Sequence, residues 1–180
     1  MKKVFVSIIM VVLLLISGFL AYLLITTPRV KEFEKKGITI QLESDFEVVE
    51  SEDWDFYVAN DEIAFMANRH GKASTIKGPG DVNIKLTDFT LSSYLSFILA
   101  LYGISTEEDK GNNVTIYNVD TYGSGFYYCY YKDGTGKYAY MLFVKQNENF
   151  FYTMNLACAA DKLDDYRTKM LQYAISVEVE

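Results

Sequence analysis

Histidine is nearly absent: His70 is the only one in 180 residues. Any Ser-His-Asp or Cys-His arrangement must run through that single imidazole, and a histidine-rich metal site is excluded. His70 lies in a charged, glycine-flanked stretch with no orienting carboxylate beside it, so it reads as a solvated loop residue. Cysteine is scarce too. Cys129 and Cys158 fit neither a zinc spacing nor a Cys-x-x-Cys redox pair. The strand layout below puts them two strands apart on opposite faces, whereas a disulfide needs Cα atoms within about 7 Å. Two buried thiols are expected, and a Cys129–Cys158 bridge is not. Residues 70–83 carry Gly71, Gly78, Pro79 and Gly80 but lack the Gly-x4-Gly-Lys-Ser/Thr pattern of a phosphate loop, so they read as a long polar loop.

Basic charge is in short supply as well. Eleven of the 17 basic residues but 22 of the 24 acidic ones lie after Lys36, leaving that part with a net charge of −11. Phosphate backbones and anionic headgroups would repel it, so nucleic acid is not an expected partner. Glu43, Asp45, Glu47, Glu50, Glu52, Asp53 and Asp55 crowd one stretch. They could offer oxygen ligands to calcium, but the spacing of a calcium loop is missing, and a solvated acidic surface is the plainer reading. No cofactor is implied and no catalytic set is visible.

What the chain does have is one unbroken apolar run, Val4 to Ile25, directly after Lys2 and Lys3. Its roughly 22 residues would reach about 33 Å as a helix, enough to cross a hydrocarbon core of about 30 Å. It is longer than a signal-peptide core and lacks a good small-x-small site, so it reads as an uncleaved anchor, with a cleaved signal as the alternative. Lys and Arg counts alone favour an internal domain, because Arg29, Lys31, Lys35 and Lys36 follow the run. Long domains cross largely regardless of charge, however, and an external domain is the adopted reading. The expected organisation is an anchor over 1–27 contacting membrane lipid through 4–25, a juxtamembrane linker over 28–36 and an extracytoplasmic domain over 37–180.

The domain is rich in aromatics, with 15 Tyr and 12 Phe, which supply a sizeable core. Ile38, Ile40 and Leu42 alternate as a half-buried strand, and an acidic surface turn over 43–53 follows. Phe56 to Ala59 and Ile63 to Asn68 read as a hairpin around Asn60-Asp61. Thr90 can cap a helix presenting Leu91, Tyr94, Leu95, Ile98, Leu101 and Tyr102, ended by Gly103. Val114 to Val119 is a strand. Phe126 to Tyr131, Tyr138 to Lys145 and Phe150 to Ala157 form a meander joined by Asp133-Gly134-Thr135-Gly136 and Gln146-Asn147-Glu148-Asn149. Asp161 can cap a second helix with Leu163, Tyr166, Met170 and Tyr173 on one face, and Ile175 to Val179 returns as a last strand. The fold class expected is α+β, an antiparallel sheet with two main helices behind one transmembrane helix.

Side chains alternate across a strand. One face of the meander collects Phe126, Tyr128, Tyr130, Ala139, Met141, Phe143, Tyr152, Met154, Leu156 and Cys158 and should be core. The other collects Tyr127, Cys129, Tyr131, Tyr138, Tyr140, Leu142, Phe151, Thr153 and Asn155. Either a helix covers it or it is a partly open surface on which Tyr127, Tyr131, Tyr138 and Tyr140 recognise a partner, since tyrosine buries area while keeping a hydrogen bond.

The order of elements resembles the Mog1/PsbP fold. The resemblance is carried by Gly37-Ile38-Thr39-Ile40-Gln41-Leu42 followed by Asp45-Phe46, by Leu86-Thr87-Asp88-Phe89-Thr90-Leu91 leading into a helix with Tyr94, and by the aromatic meander, final helix and Ile175-Ser176-Val177. It implies a sandwich-like α+β architecture. Because proteins of this fold include photosystem accessory subunits, a nuclear-transport regulator and bacterial surface lipoproteins, it also implies a binding or assembly module with a protein partner. It brings no shared catalytic residues, and the lipid-attachment cysteine of the surface lipoproteins is missing here. A hydrolase using scattered carboxylates and a small-ligand carrier beneath 70–83 are the alternative readings.

Overall fold

The computed structural model describes residues 12, 15–18, 29–104, 115–118 and 125–180. Most of the expected membrane span over 4–25 therefore lies outside the described residues. Among those described, no helix is long and apolar enough to cross a membrane.

Residues Val30–Lys35 (β1), expected as linker, form a strand paired with Ile38–Glu43 (β2). The two-residue turn Lys36-Gly37 joins them with φ of 53° and 73°. Positive φ at both central residues is what a tight, twist-matched hairpin requires. Only Phe33 of β1 is buried, which is why its charged sequence does not read as a strand. Glu178–Val179 (β12) completes this three-stranded sheet on the other side of β2.

The larger sheet has seven antiparallel strands in the order β3-β4-β5-β11-β10-β9-β8. They are Glu47–Val48 (β3), Phe56–Ala59 (β4), Ile63–Gly71 (β5), Thr115–Asn118 (β8), Tyr127–Lys132 (β9), Tyr138–Gln146 (β10) and Phe150–Ala159 (β11). Short polar side chains close its turns. Asp133 Oδ1 accepts from the backbone N–H groups of Lys137 and Tyr138 at 3.1 and 3.3 Å, and Oδ2 accepts from the Thr135 hydroxyl at 2.8 Å. Asn60 Oδ1 accepts from Glu62 and Ile63, and Asn147 Oδ1 from Asn149 and Phe150. Each amide or carboxylate thus occupies donors that the turn takes out of the ladder.

The expected loop over 70–83 is largely a second hairpin. His70 and Gly71 end β5, and Thr75–Lys77 (β6) pairs with Asn83–Lys85 (β7). Ile76 and Ile84 then pack beside the helix Leu91–Leu101 (α1). Thr90 caps α1 as expected, in a box where Ser93 N–H donates to Thr90 Oγ1 and Thr90 N–H to Ser93 Oγ. Phe97 and Leu99 are buried, while Leu101 and Tyr102, at the end of α1, are exposed.

The second helix, Leu163–Ser176 (α2), is preceded by a 3-10 turn, and Asp161 does not cap it. It also runs to Ser176, which shortens the expected last strand to β12. Lys145, 6% exposed, finishes it: its ammonium donates to the Val177 carbonyl and lies over the Phe126 ring. Burial lowers its pKa to about 8 despite the opposing field of Glu178.

Three layers result. The small sheet and α2 cover one face of the large sheet, and α1 covers part of the other. The first interface holds all ten residues expected on the core face of the meander, together with Ile38, Ile40, Leu42, Met170 and Tyr173. The second holds Cys129, Leu142, Val144 and Phe151 against Leu95 and Ile98. Cys129 and Cys158 are both free and buried, one in each interface. Reductant should therefore leave the melting temperature unchanged; a drop of several degrees would show a bridge.

Candidate functional site

The face of the large sheet beneath α1 is built in rows by strand register. Tyr57, Met66, Asn155, Leu142 and Cys129 form one row across β4, β5, β11, β10 and β9. Ala59, Ala64, Ala157, Tyr140 and Tyr131 form the next, with Ala159 and Tyr138 beyond. On the other side of the first row lie Thr153 and Asn68, then Phe151 and His70.

α1 occupies that second end. Tyr94, fully buried, stacks on Phe151 with ring centroids 4.4 Å apart and 14° between planes. Its hydroxyl meets His70 Nδ1 at 2.6 Å and Thr153 Oγ1 at 2.7 Å. Burial pushes that hydroxyl far above the ordinary phenol range, with Thr153 partly offsetting it. His70 is consequently half-buried and hydrogen-bonded, not the solvated loop residue its sequence suggests. The arrangement holds the helix to the sheet. It offers no activated nucleophile, because the tyrosine is locked in its neutral form.

Burial also lowers the His70 pKa, and the neighbouring Asp55 carboxylate works against it. Asp55 itself is pushed up by burial, but the Lys36 ammonium and Arg69 N–H outweigh that and hold it below the usual carboxylate range. A histidine whose folded pKa lies below its unfolded value of about 6.5 stabilises the fold fully above that pH. The contribution is lost as pH falls through the depressed folded value. Denaturant midpoints should fall between pH 7.5 and 5 more steeply for the natural chain than for His70→Gln; equal slopes would exclude His70 as the cause.

The other end of the face lies beyond α1. Tyr131 and Tyr140 stack there, centroids 5.0 Å apart and 12° between planes, with Tyr102 from the end of α1 6.5 Å from Tyr131. Together with Trp54, Met66 and Asn155 they line a groove of about 500 Å³, rimmed by Lys132 and Asp133. A hollow of about 370 Å³ adjoins it over Tyr57, the alanines and Tyr138. Burial raises the Tyr131 and Tyr140 hydroxyls, and Asp133 adds to both. Asn155 is 1% exposed. Its Oδ1 accepts from Tyr131 at a long 3.5 Å, and its Nδ2 has no hydrogen-bond partner among the described residues. The Tyr102 hydroxyl is near enough for that amide to offset part of its burial-driven rise, without reaching hydrogen-bond geometry.

Of the four tyrosines expected at a recognition surface, Tyr131 and Tyr140 come together in this groove. Tyr138 stands beside them, 52% exposed. Tyr127 sits at the far end of β9, half-buried against the α1 cluster. Trp54, Tyr57, Met66 and Tyr102 were not anticipated. Tyr57 and Met66 follow from β4 and β5 alternation, but their partnership with Tyr140 depends on the pairing of β5 with β11, which no local signal specifies. Among the described residues no three of His, Cys, Asp or Glu converge to hold a metal.

Comparison with family models finds no match, and none is found among curated proteins. Solved structures do match. The solution structure of cyanobacterial PsbP (CyanoP) from Synechocystis sp. PCC 6803 aligns over 84% of this chain and 92% of its own, with 14% identity and a TM-score of 0.54. The crystal structure of LpqN, involved in cell envelope biogenesis of Mycobacterium tuberculosis, aligns over 88% and 94%, with 13% identity and a TM-score of 0.45. At such identities the likeness concerns the backbone alone: this chain has a PsbP-like fold.

Proposed function

We propose that the protein is a membrane-anchored, extracytoplasmic binding or assembly module, and that the sheet face the described residues leave open beyond α1 receives a protein partner. The observation that carries this reading is the groove itself. Four aromatic side chains, Trp54, Tyr102, Tyr131 and Tyr140, converge over a buried amide with an unused donor. Aromatic residues of this kind dominate recognition surfaces, and a buried donor without a partner is costly unless something supplies an acceptor. The apolar run over 4–25 would hold the module at the membrane, with the acidic domain outside.

Crosslinking and affinity capture from membranes test the reading. Partner recovery should fall at least about tenfold for Tyr140→Ala and for Tyr131→Ala, as for a hot spot worth about 2 kcal/mol. Undiminished recovery with both variants would remove the groove from consideration. The full-length chain should also stay in the pellet through carbonate washing; a shortened soluble form would show a cleaved signal instead.

A further inference from the structure

The row Ala59, Ala64, Ala157, Tyr140, Tyr131 runs across five strands. At about 4.8 Å per strand it is about 19 Å long, the reach of about six residues of extended chain. Its floor is small and apolar at one end and aromatic at the other. The Tyr57, Met66 and Asn155 row forms one side and Tyr138 the other. Asn155 Nδ2, buried and without a partner among the described residues, can donate to a ligand acceptor.

Charge along this strip is mostly negative. Asp133 stands at the tyrosine end, fixed by the turn it closes, and Asp61 and Glu62 at the alanine end, with Asp45 and Glu47 in the next hollow. Lys132 and Lys162 are the cations along the two hollows. The part of the chain after Lys36 carries −11 in all. A glycan is disfavoured along the alanine end of this floor, where the side chains offer its many hydroxyls nothing to bond. A peptide asks less: it brings backbone carbonyls, one of which can accept from Asn155 Nδ2, and side chains on alternate sides.

We propose that this strip binds an extended, arginine- or lysine-bearing segment of the partner protein, a backbone carbonyl accepting from Asn155 Nδ2 and a cationic side chain lying against the Tyr131–Tyr140 pair beside Asp133. This deepens the binding-module reading above and rests on it. Cations gain from tyrosine faces and from a nearby carboxylate together, and Arg does so best because its planar group stacks while donating.

Trp54 is the only tryptophan in the chain and lines the groove, so its emission reports on this site alone. The test titrates the full chain in detergent with a blocked octapeptide alternating Thr and Arg, with Thr-Gln and Thr-Glu counterparts, and with a chitin hexasaccharide. The Arg peptide should shift Trp54 emission saturably and bind at least about tenfold tighter than the Glu peptide, less so at high salt. Asp133→Asn should weaken it about threefold or more. Asn155→Leu should weaken it about tenfold; because the change also removes the acceptor of the Tyr131 hydroxyl, its melting temperature is measured alongside. Tyr140→Leu, at a half-exposed position, gives a second reading should the buried change disturb folding.

Equal or tighter binding of the Glu peptide, a response to the hexasaccharide alone, or no response to any peptide would overturn the proposal. If the peptides are silent while membrane capture still falls with Tyr140→Ala, the cationic segment is wrong and the binding module stands. If neither responds, both fall.

Discussion

Replacing Tyr94 by alanine is expected to cost about 3–5 kcal/mol of folding stability, among the larger effects a single substitution can have here. The ring is fully buried and stacks on Phe151 of the sheet. Tyr94→Phe separates the packing from the polar contacts. It keeps the ring but leaves His70 Nδ1 and Thr153 Oγ1 without their shared partner, at a cost of about 1–3 kcal/mol. Urea denaturation followed by circular dichroism measures both. A loss under 1 kcal/mol for Tyr94→Ala would mean that α1 is not held by this side chain.

Phe143→Ala should be comparably damaging, about 3–5 kcal/mol. Phe143 is fully buried on β10, with Phe65 and Phe126 rings at 6.5 and 5.8 Å. Tyr140, three residues earlier on the same strand, points to the other face and is only half-buried. Tyr140→Ala should cost about 1 kcal/mol, the loss typical of a partly exposed side chain. The contrast within one strand tests the assignment of faces directly. A loss of 3 kcal/mol or more at Tyr140 would show that the groove is packed core, and the recognition reading would fail with it.

The faces of β9, β10 and β11 were legible in the sequence because alternation has a period of two and the turns between these strands hold only five and three residues, closed by Asp, Gly and Asn. An incorrect register would have exchanged the faces, and the ten core residues would not have met α2 and the small sheet. Thr90 was legible for a related reason, since a cap is a local hydrogen bond between residues three apart. β1 was not legible. Its side chains are mostly charged, and its partner is supplied by a Lys-Gly turn whose left-handed backbone leaves little trace in the residue types. The hairpin β6–β7 was hidden by its glycines, which permit a tight turn and a mobile loop equally.

The sequence by itself determined what depends on neighbours along the chain: the apolar run, the acidity, the meander and its two faces, the capped helix, and the separation of the two thiols. Tertiary structure alone decided where on the sheet α1 would lie. Tyr94 pins its first turns to His70 and Thr153, residues 24 and 59 positions away, and Gly103 then ends it. This placement leaves Tyr131 and Tyr140 beyond the helix end, and the β5–β11 pairing brings Trp54, Met66 and Asn155 beside them. A groove assembled from contacts between distant strands has no periodic or local signature, because its residues are chosen by where the strands meet rather than by what precedes or follows them.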